Sequence, residues 1–164
     1  MPESRLIKRA ELRSFMELNP SGSSLTFFLI GEGFTNLAES KNAKEYSRQY
    51  IHEYTERTDV VGYAPSLAYS VDAHTNNPVI KKIMEVTDKE LTGSDAVVPV
   101  VAVNTFEEVE TGKCKAYKRN YSIIPDGTAD GTDALVYTGT LRAVGDPVEG
   151  AFDLEGKTFT PTGT

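Results

Sequence analysis

The sequence predicts a mainly-β domain carrying one helix. Three observations predict it. Apolar and aromatic runs of strand length recur along the chain, and several alternate with period two as a half-buried strand does. One segment, 77–92, combines helix punctuation with apolar side chains at helical spacing. The segments between are rich in Gly, Pro, Asn and Asp, which supply turn geometry.

Residues 1–25 read as an N-terminal arm. Leu6, Ala10, Phe15, Met16 and Leu18 mark one side of a short helix, and "NPSGSS" (Asn19–Ser24) then breaks regular structure. Residues 26–155 read as the β domain. "LTFFLIGEG" opens it with a continuous apolar run, a buried strand ending at Gly31–Gly33. "NLAESKNAKEYSR" (Asn36–Arg48) is polar and longer than an ordinary hairpin connection, so it reads as a loop. "QYIHEYTER" alternates Tyr50, His52, Tyr54 and Glu56 against Ile51, Glu53, Thr55 and Arg57. Neither face is apolar enough for a core, so this reads as a strand in contact with water or a partner.

After Pro65, Leu67, Tyr69 and Val71 share one strand face. The helix follows, with Asn77 as N-cap, Pro78 at the first helical position and Gly93 past its end. Val79, Ile80, Ile83, Met84 and Leu91 form its apolar stripe. "AVVPVVAVNTF" is a strand in which Pro99 predicts an edge position or a bulge. "GKCKAYKRNYSII" places Lys115, Tyr117, Arg119, Tyr121 and Ile123 on one face. "PDGTADGTD" is a loop, "ALVYTGTLRAVG" a further alternating strand, and a short closing strand leads into a tail at 156–164.

Composition narrows the function. The 164 residues carry a net charge of -7. From Ser122 onward seven carboxylates face only two bases, Arg142 and Lys157, which argues against a protein that binds by neutralising phosphate. A single cysteine, Cys114, excludes an intramolecular disulfide and a cysteine-rich zinc site. No apolar run is long enough to span a bilayer, and the N-terminus lacks a signal-peptide pattern, so synthesis in the cytoplasm is expected. His52 and His74 have no metal-ligand spacing. "DGTADG" imitates the start of a calcium loop, but Tyr137 stands where the bidentate glutamate belongs. "GEGF" lacks the third glycine of a dinucleotide fingerprint. "KCKAYKRNY" interleaves bases with tyrosines, yet the acidic chain favours a solvated sheet face over a single-strand binding site. No nucleophile has an evident base partner, so no catalytic residue, cofactor or metal is expected.

The words "LIGEGFTNLAESKNAKEYSRQYIHE", "TDVVGYAPSLAYSVDA" and "NPVIKKIMEVTDKELTG", in that order, resemble the major tail proteins, or tail tube proteins, of tailed phages with long non-contractile tails from Gram-positive hosts. The resemblance covers about Thr26–Leu154. It implies a two-sheet β-sandwich or half-barrel with one flanking helix, joined to its neighbours as a hexameric β-barrel ring. Stacked rings would form the conduit for genome DNA in the virion tail. The implied partners are further copies of the chain and the tail terminator, tape measure and distal tail proteins, with double-stranded DNA passing through and no membrane. The resemblance makes Asn36–Arg48 a contact between subunits, with Glu39, Lys41, Lys44 and Tyr46 as its candidate residues. For the strand Tyr50–Arg57, Glu53, Thr55 and Arg57 are expected on the lumen side, leaving the tyrosines for packing. The alternatives are the inner tube of a contractile tail or tail-like bacteriocin and, in another class, a small β-sandwich carbohydrate-binding module.

Overall fold

The computed structural model describes residues 3–19, 26–129 and 133–162. Strands β1 (Leu12–Leu18), β2 (Thr26–Ile30) and β3 (Phe34–Ser40) come first, then β4 (Lys44–Arg48), β5 (Arg57–Gly62) and β6 (Ser66–Asp72). Helix α1 (Pro78–Asp88) follows, and β7 (Val97–Glu110), β8 (Lys113–Ala129), β9 (Val136–Asp153) and β10 (Thr158–Pro161) complete the order. One antiparallel sheet runs β2-β1-β7-β8-β9-β6-β3, with β10 added beside β9; β4 and β5 pair only with each other.

The sheet is a curled half-barrel. Its two edge strands, β2 and β3, are joined by only Gly31–Gly33, so the sheet must roll until its edges approach. Gly33 makes that corner possible. It has φ +85°, and a Cβ there would lie 2.7 Å from the Asp72 carbonyl and 2.9 Å from His74 Nδ1.

Two cores hold the sheet from opposite faces. On the inner face, Val79, Ile80, Ile83 and Val86 of α1 pack with Met16, Ile30, Val71, Val98, Tyr121 and Leu141. On the outer face, Phe152 stacks on Phe15 (centroids 4.6 Å apart) and meets Phe27 edge-on (5.4 Å), over Val101, Val103 and Ala116. The sheet is therefore dry on both sides where β1 and β7 cross it. The stretch 97–103 of β7 reads as a continuous apolar run and not as alternation, and β1 sets Phe15 and Met16 side by side.

Four expectations need correcting or refining. The helix expected around Phe15, Met16 and Leu18 is strand β1, paired with both β2 and β7. Phe15 and Met16 are neighbours in sequence, and both are buried because the strand has a core on each face. The expected loop Asn36–Arg48 is mostly strand, since β3 pairs with β6 through Ser40 and β4 begins at Lys44. The expected strand Tyr50–Arg57 is instead the tip of the β4–β5 hairpin, with only Arg57 in a strand. Pro99 lies in an interior strand, paired to Asn120, one residue beyond the point where β1 stops pairing with β7 at Val100. Pro99 thus has a partner strand on one side only, the setting in which a strand tolerates a residue without an N–H.

The helix keeps its predicted punctuation. Asn77 Oδ1 accepts from the backbone N–H groups of Val79 and Ile80, at 3.1 and 3.3 Å. It ends at Asp88, four residues short of 92, and Val86 joins the buried stripe. Tyr137 ties its C-terminal end to the sheet, its hydroxyl donating to the Asp88 carboxylate at 3.1 and 3.2 Å.

Candidate assembly surface

The β4–β5 hairpin stands off the barrel as an arm. Its root is fixed at Asn42, whose side-chain amide donates to the Ala64 carbonyl (3.0 Å) and Ser66 Oγ (3.2 Å). Asn42 has φ 49°, a left-handed conformation that asparagine tolerates better than most residues. Beyond the root, five pairs from Lys44↔Gly62 to Arg48↔Arg57 carry the arm outward.

The arm's outer half has an internal order of its own. The Arg48 guanidinium lies over the rings of Tyr46 (5.0 Å) and Tyr50 (5.6 Å), donates from Nε to the Tyr50 hydroxyl (2.8 Å) and pairs with Asp59. Arg57 covers Tyr50 from elsewhere (5.6 Å) and grips Glu53 by two contacts, of 3.0 and 2.7 Å. The tip backbone closes through Glu53 N–H to the Tyr50 carbonyl (3.0 Å), and Gln49 Nε2 donates to the Glu53 carbonyl (2.8 Å). Together these contacts hold a tip that has no core beneath it.

What the arm displays is apolar. Ile51 and Tyr54 are fully exposed, and Tyr46, Tyr50, Val60, Val61 and Tyr63 are each about half exposed. A lone two-stranded hairpin is marginally stable in water. Exposed apolar side chains clustered on one such element mark a contact site.

A second feature lies on the barrel's inner face. Helix α1 covers one end of that face. At the other end Leu12, Leu37, Leu67, Val100, Ala102 and Tyr117 line an open groove. Its rim carries Arg9, Lys41 and Arg119 against a single carboxylate, Glu39. Arg119 Nε is buried without a hydrogen-bond partner among the described residues. The N-terminal segment crosses beside the groove. Arg9 donates to the carbonyls of Leu12 (2.7 Å) and Leu37 (3.4 Å), bridging β1 to the free edge of β3. Glu11 anchors this segment: the Arg5 guanidinium, and then the Lys8 backbone N–H (2.7 Å), hold its carboxyl down at about 2.

The sequence-predicted site residues distribute as follows. Glu39, next to last in β3, stands at the groove rim, where it pairs with Lys41; Lys44 and Tyr46 lie on β4. Glu53 and Arg57 are brought together in the tip, and Thr55 stands between them in sequence. The alternation that assigned Glu53, Thr55 and Arg57 a common lumen face has no strand to act on there. Sequence reading missed the exposed Ile51–Tyr54 pair and the groove. The signal available for the first was two large apolar residues within a polar stretch. His52 stacks on Tyr50 in the tip (6.3 Å), whereas His74 donates from Nδ1 to the Asp72 carbonyl (2.7 Å), so the histidines serve different elements. The face holding Lys115, Tyr117, Arg119, Tyr121 and Ile123 is the barrel's inner face, running from the groove to the core under α1. Of the calcium-like "DGTADG", Asp130 and Gly131 lie outside the described residues, and Asp126 belongs to strand β8. No helix among the described residues is long and apolar enough to cross a membrane.

No family model and no curated protein matches the chain. Solved structures do match its fold. A chain in the tail of an empty GTA particle, refined helically with C6 symmetry, superposes with a TM-score of 0.60 at 12% identity, covering 94% of this chain and 99% of that one. A chain in the six-fold symmetrised baseplate of the anti-feeding prophage (AFP) superposes at 0.52 and 14% identity, covering 91% and 97%. At these identities the likeness establishes the fold, a mainly-β half-barrel with one helix that is shared over nearly the whole length of all three chains.

Proposed function

We propose that this chain is a structural subunit of a phage-type tail tube. It assembles as hexameric rings that stack into a conduit for DNA, as the major tail tube protein of a long non-contractile tail. The observation that carries the reading is the end-to-end likeness to a chain of a C6-symmetric tail and a chain of a six-fold symmetrised baseplate. Two features of the chain support it. The arm displays Ile51 and Tyr54 with nothing beneath them. The net charge of -7 suits a conduit that must release DNA, which carries one negative charge per ~1.7 Å of duplex. In this reading Glu39, Lys41, Lys44 and Tyr46 lie between subunits, and the arm reaches a neighbouring copy. Tail terminator, tape measure and distal tail proteins would then be its further partners, and the virion tail its location.

Negative-stain microscopy of the concentrated protein tests this. Rings about six-fold in outline, or tubes built from them, are expected. Particles that stay monomeric at every concentration overturn it. The likeness to a baseplate chain favours a second reading, a ring at one end of such a tube, including one within a contractile or bacteriocin-like particle. Assembly that stops at single rings selects this second reading, and long tubes select the first.

A further inference from the structure

We propose that the arm's tip, residues 49–56, seats in the inner-face groove of a second copy, with Ile51 and Tyr54 entering between Leu12, Leu37 and Ala102. This inference rests on the tail-tube reading and supplies the contact that would propagate it.

Three observations fit tip to groove. The first is apolar complementarity. Ile51 and Tyr54 are fully exposed, so the chain's own groove does not receive them, while the groove floor is apolar and open. The second is charge. Glu53 is held by Arg57, which leaves Glu56 as the tip's carboxylate without an ion pair among the described residues; at the groove Lys41 is paired with Glu39, which leaves Arg9 and Arg119 without a carboxylate partner there. Opposite potentials steer such an encounter and fix its register. The third is preparation. The Arg48, Tyr50, Glu53 and Arg57 contacts order the tip before it binds, which reduces the entropy lost on docking.

The topology gives the contact a direction. The arm's root and the groove rim are adjacent, since Lys41 lines the groove and its carbonyl accepts from Ala64 N–H at the root. Five residues of extended arm carry the tip roughly 16 Å from that root. Each copy would therefore offer a groove at one place and a tip at another. Used head to tail, this contact closes into a ring or continues as a filament; used reciprocally, it gives a two-fold dimer, so assemblies larger than a dimer are the outcome expected of the tail-tube reading.

Cross-linking between two singly substituted proteins tests this. Ile51→Cys protein is mixed with Ala102→Cys protein, assembled and oxidised mildly. The native Cys114 is buried, so wild-type assemblies provide the background. The expected result is a covalent dimer on a non-reducing gel from the mixture. Neither protein alone should give it, nor should Ile51→Cys mixed with Lys81→Cys on the exposed side of α1. In parallel, the Ile51→Ser/Tyr54→Ser double variant should raise the concentration needed for assembly by at least about tenfold, because two apolar side chains lose their burial. Tubes that form normally but give no specific dimer, or a double variant that assembles as wild type does, overturn the docking while leaving the tail-tube reading intact. A wild-type protein that never assembles overturns both.

Discussion

Arg57 Nε and Nη2 contact the two carboxylate oxygens of Glu53 at 3.0 and 2.7 Å, and they do so in the tip of an otherwise exposed hairpin. The pair sits four residues apart in a turn and not on a strand face. Glu53 is nearly covered, at 12% side-chain exposure, while Arg57 is open to solvent at 58%. Its role in the free chain is to shape the tip. Glu53→Gln keeps the side chain's outline and removes its charge. Amide hydrogen exchange across residues 49–56 should rise severalfold, with the barrel's melting temperature unchanged, because no core residue touches the pair. A melting temperature lowered by more than a few degrees would show that the tip braces the barrel.

The arm can be removed as a unit only at its own boundaries. Replacing 44–62 with a short Gly-rich link should leave the barrel folded, since β3 and β6 keep their pairing and neither core contains an arm residue. The truncated protein should show unchanged far-ultraviolet circular dichroism per strand residue and should not assemble. Deleting 36–48 instead removes most of the β3 edge strand, and the barrel should then fail to fold. If the protein with 44–62 replaced still assembles as the wild type does, the arm is not the contact element.

How much of the fold is legible in the sequence depends on where water lies. The helix was legible because Asn77, Pro78 and the 79–80–83 spacing are local signals that tertiary packing left intact. The long strands β7, β8 and β9 were legible from apolar and alternating runs. Strand β1 was not: its apolar residues are packed on both faces, so Phe15 and Met16 break the alternation that identifies a strand. The arm was misread by half its length because both its strands and its tip face water. With no buried face, a polar strand and a polar loop carry the same pattern, and Tyr50–Arg57 alternated by chance. The groove was invisible because it gathers β1, β3, β6, β7 and β8, strands far apart in sequence.

Ile83 is fully buried in the inner core, between α1 and the sheet. Ile83→Asp places a carboxylate there with no partner, at a cost of several kcal/mol. That is a large part of a domain's whole stability of about 5–15 kcal/mol. The variant should be found in the insoluble fraction or show a much lowered melting temperature. A soluble variant that melts as the wild type does would mean that the helix stripe is not part of the core.

Tyr69 lies 3% exposed on β6, against a β9 glycine chosen to make room for it: a Cβ on Gly139 would stand 2.5 Å from the Tyr69 hydroxyl oxygen. That hydroxyl is buried without a hydrogen-bond partner among the described residues, while the nearby Thr87 hydroxyl donates to the Ile83 carbonyl at 2.8 Å. Burial, reinforced by the charge of Asp126, pushes the phenol from its ordinary 10 up to about 12. The folded value lies above the unfolded one, so the neutral phenol's contribution is fully present below pH 10 and is lost as pH climbs through 12. A two-unit shift makes that loss on the order of 2–3 kcal/mol. Burial raises Tyr121 and Tyr137 in the same direction. The wild type should therefore lose stability over this alkaline range, as followed by circular dichroism and by the tyrosinate absorbance. Tyr69→Phe should remove a share of that loss. At neutral pH it should be as stable as the wild type, to within about 1 kcal/mol, because the deleted hydroxyl had no bond to lose. A Tyr69→Phe protein several kcal/mol weaker at neutral pH would show that the hydroxyl is held by a partner after all.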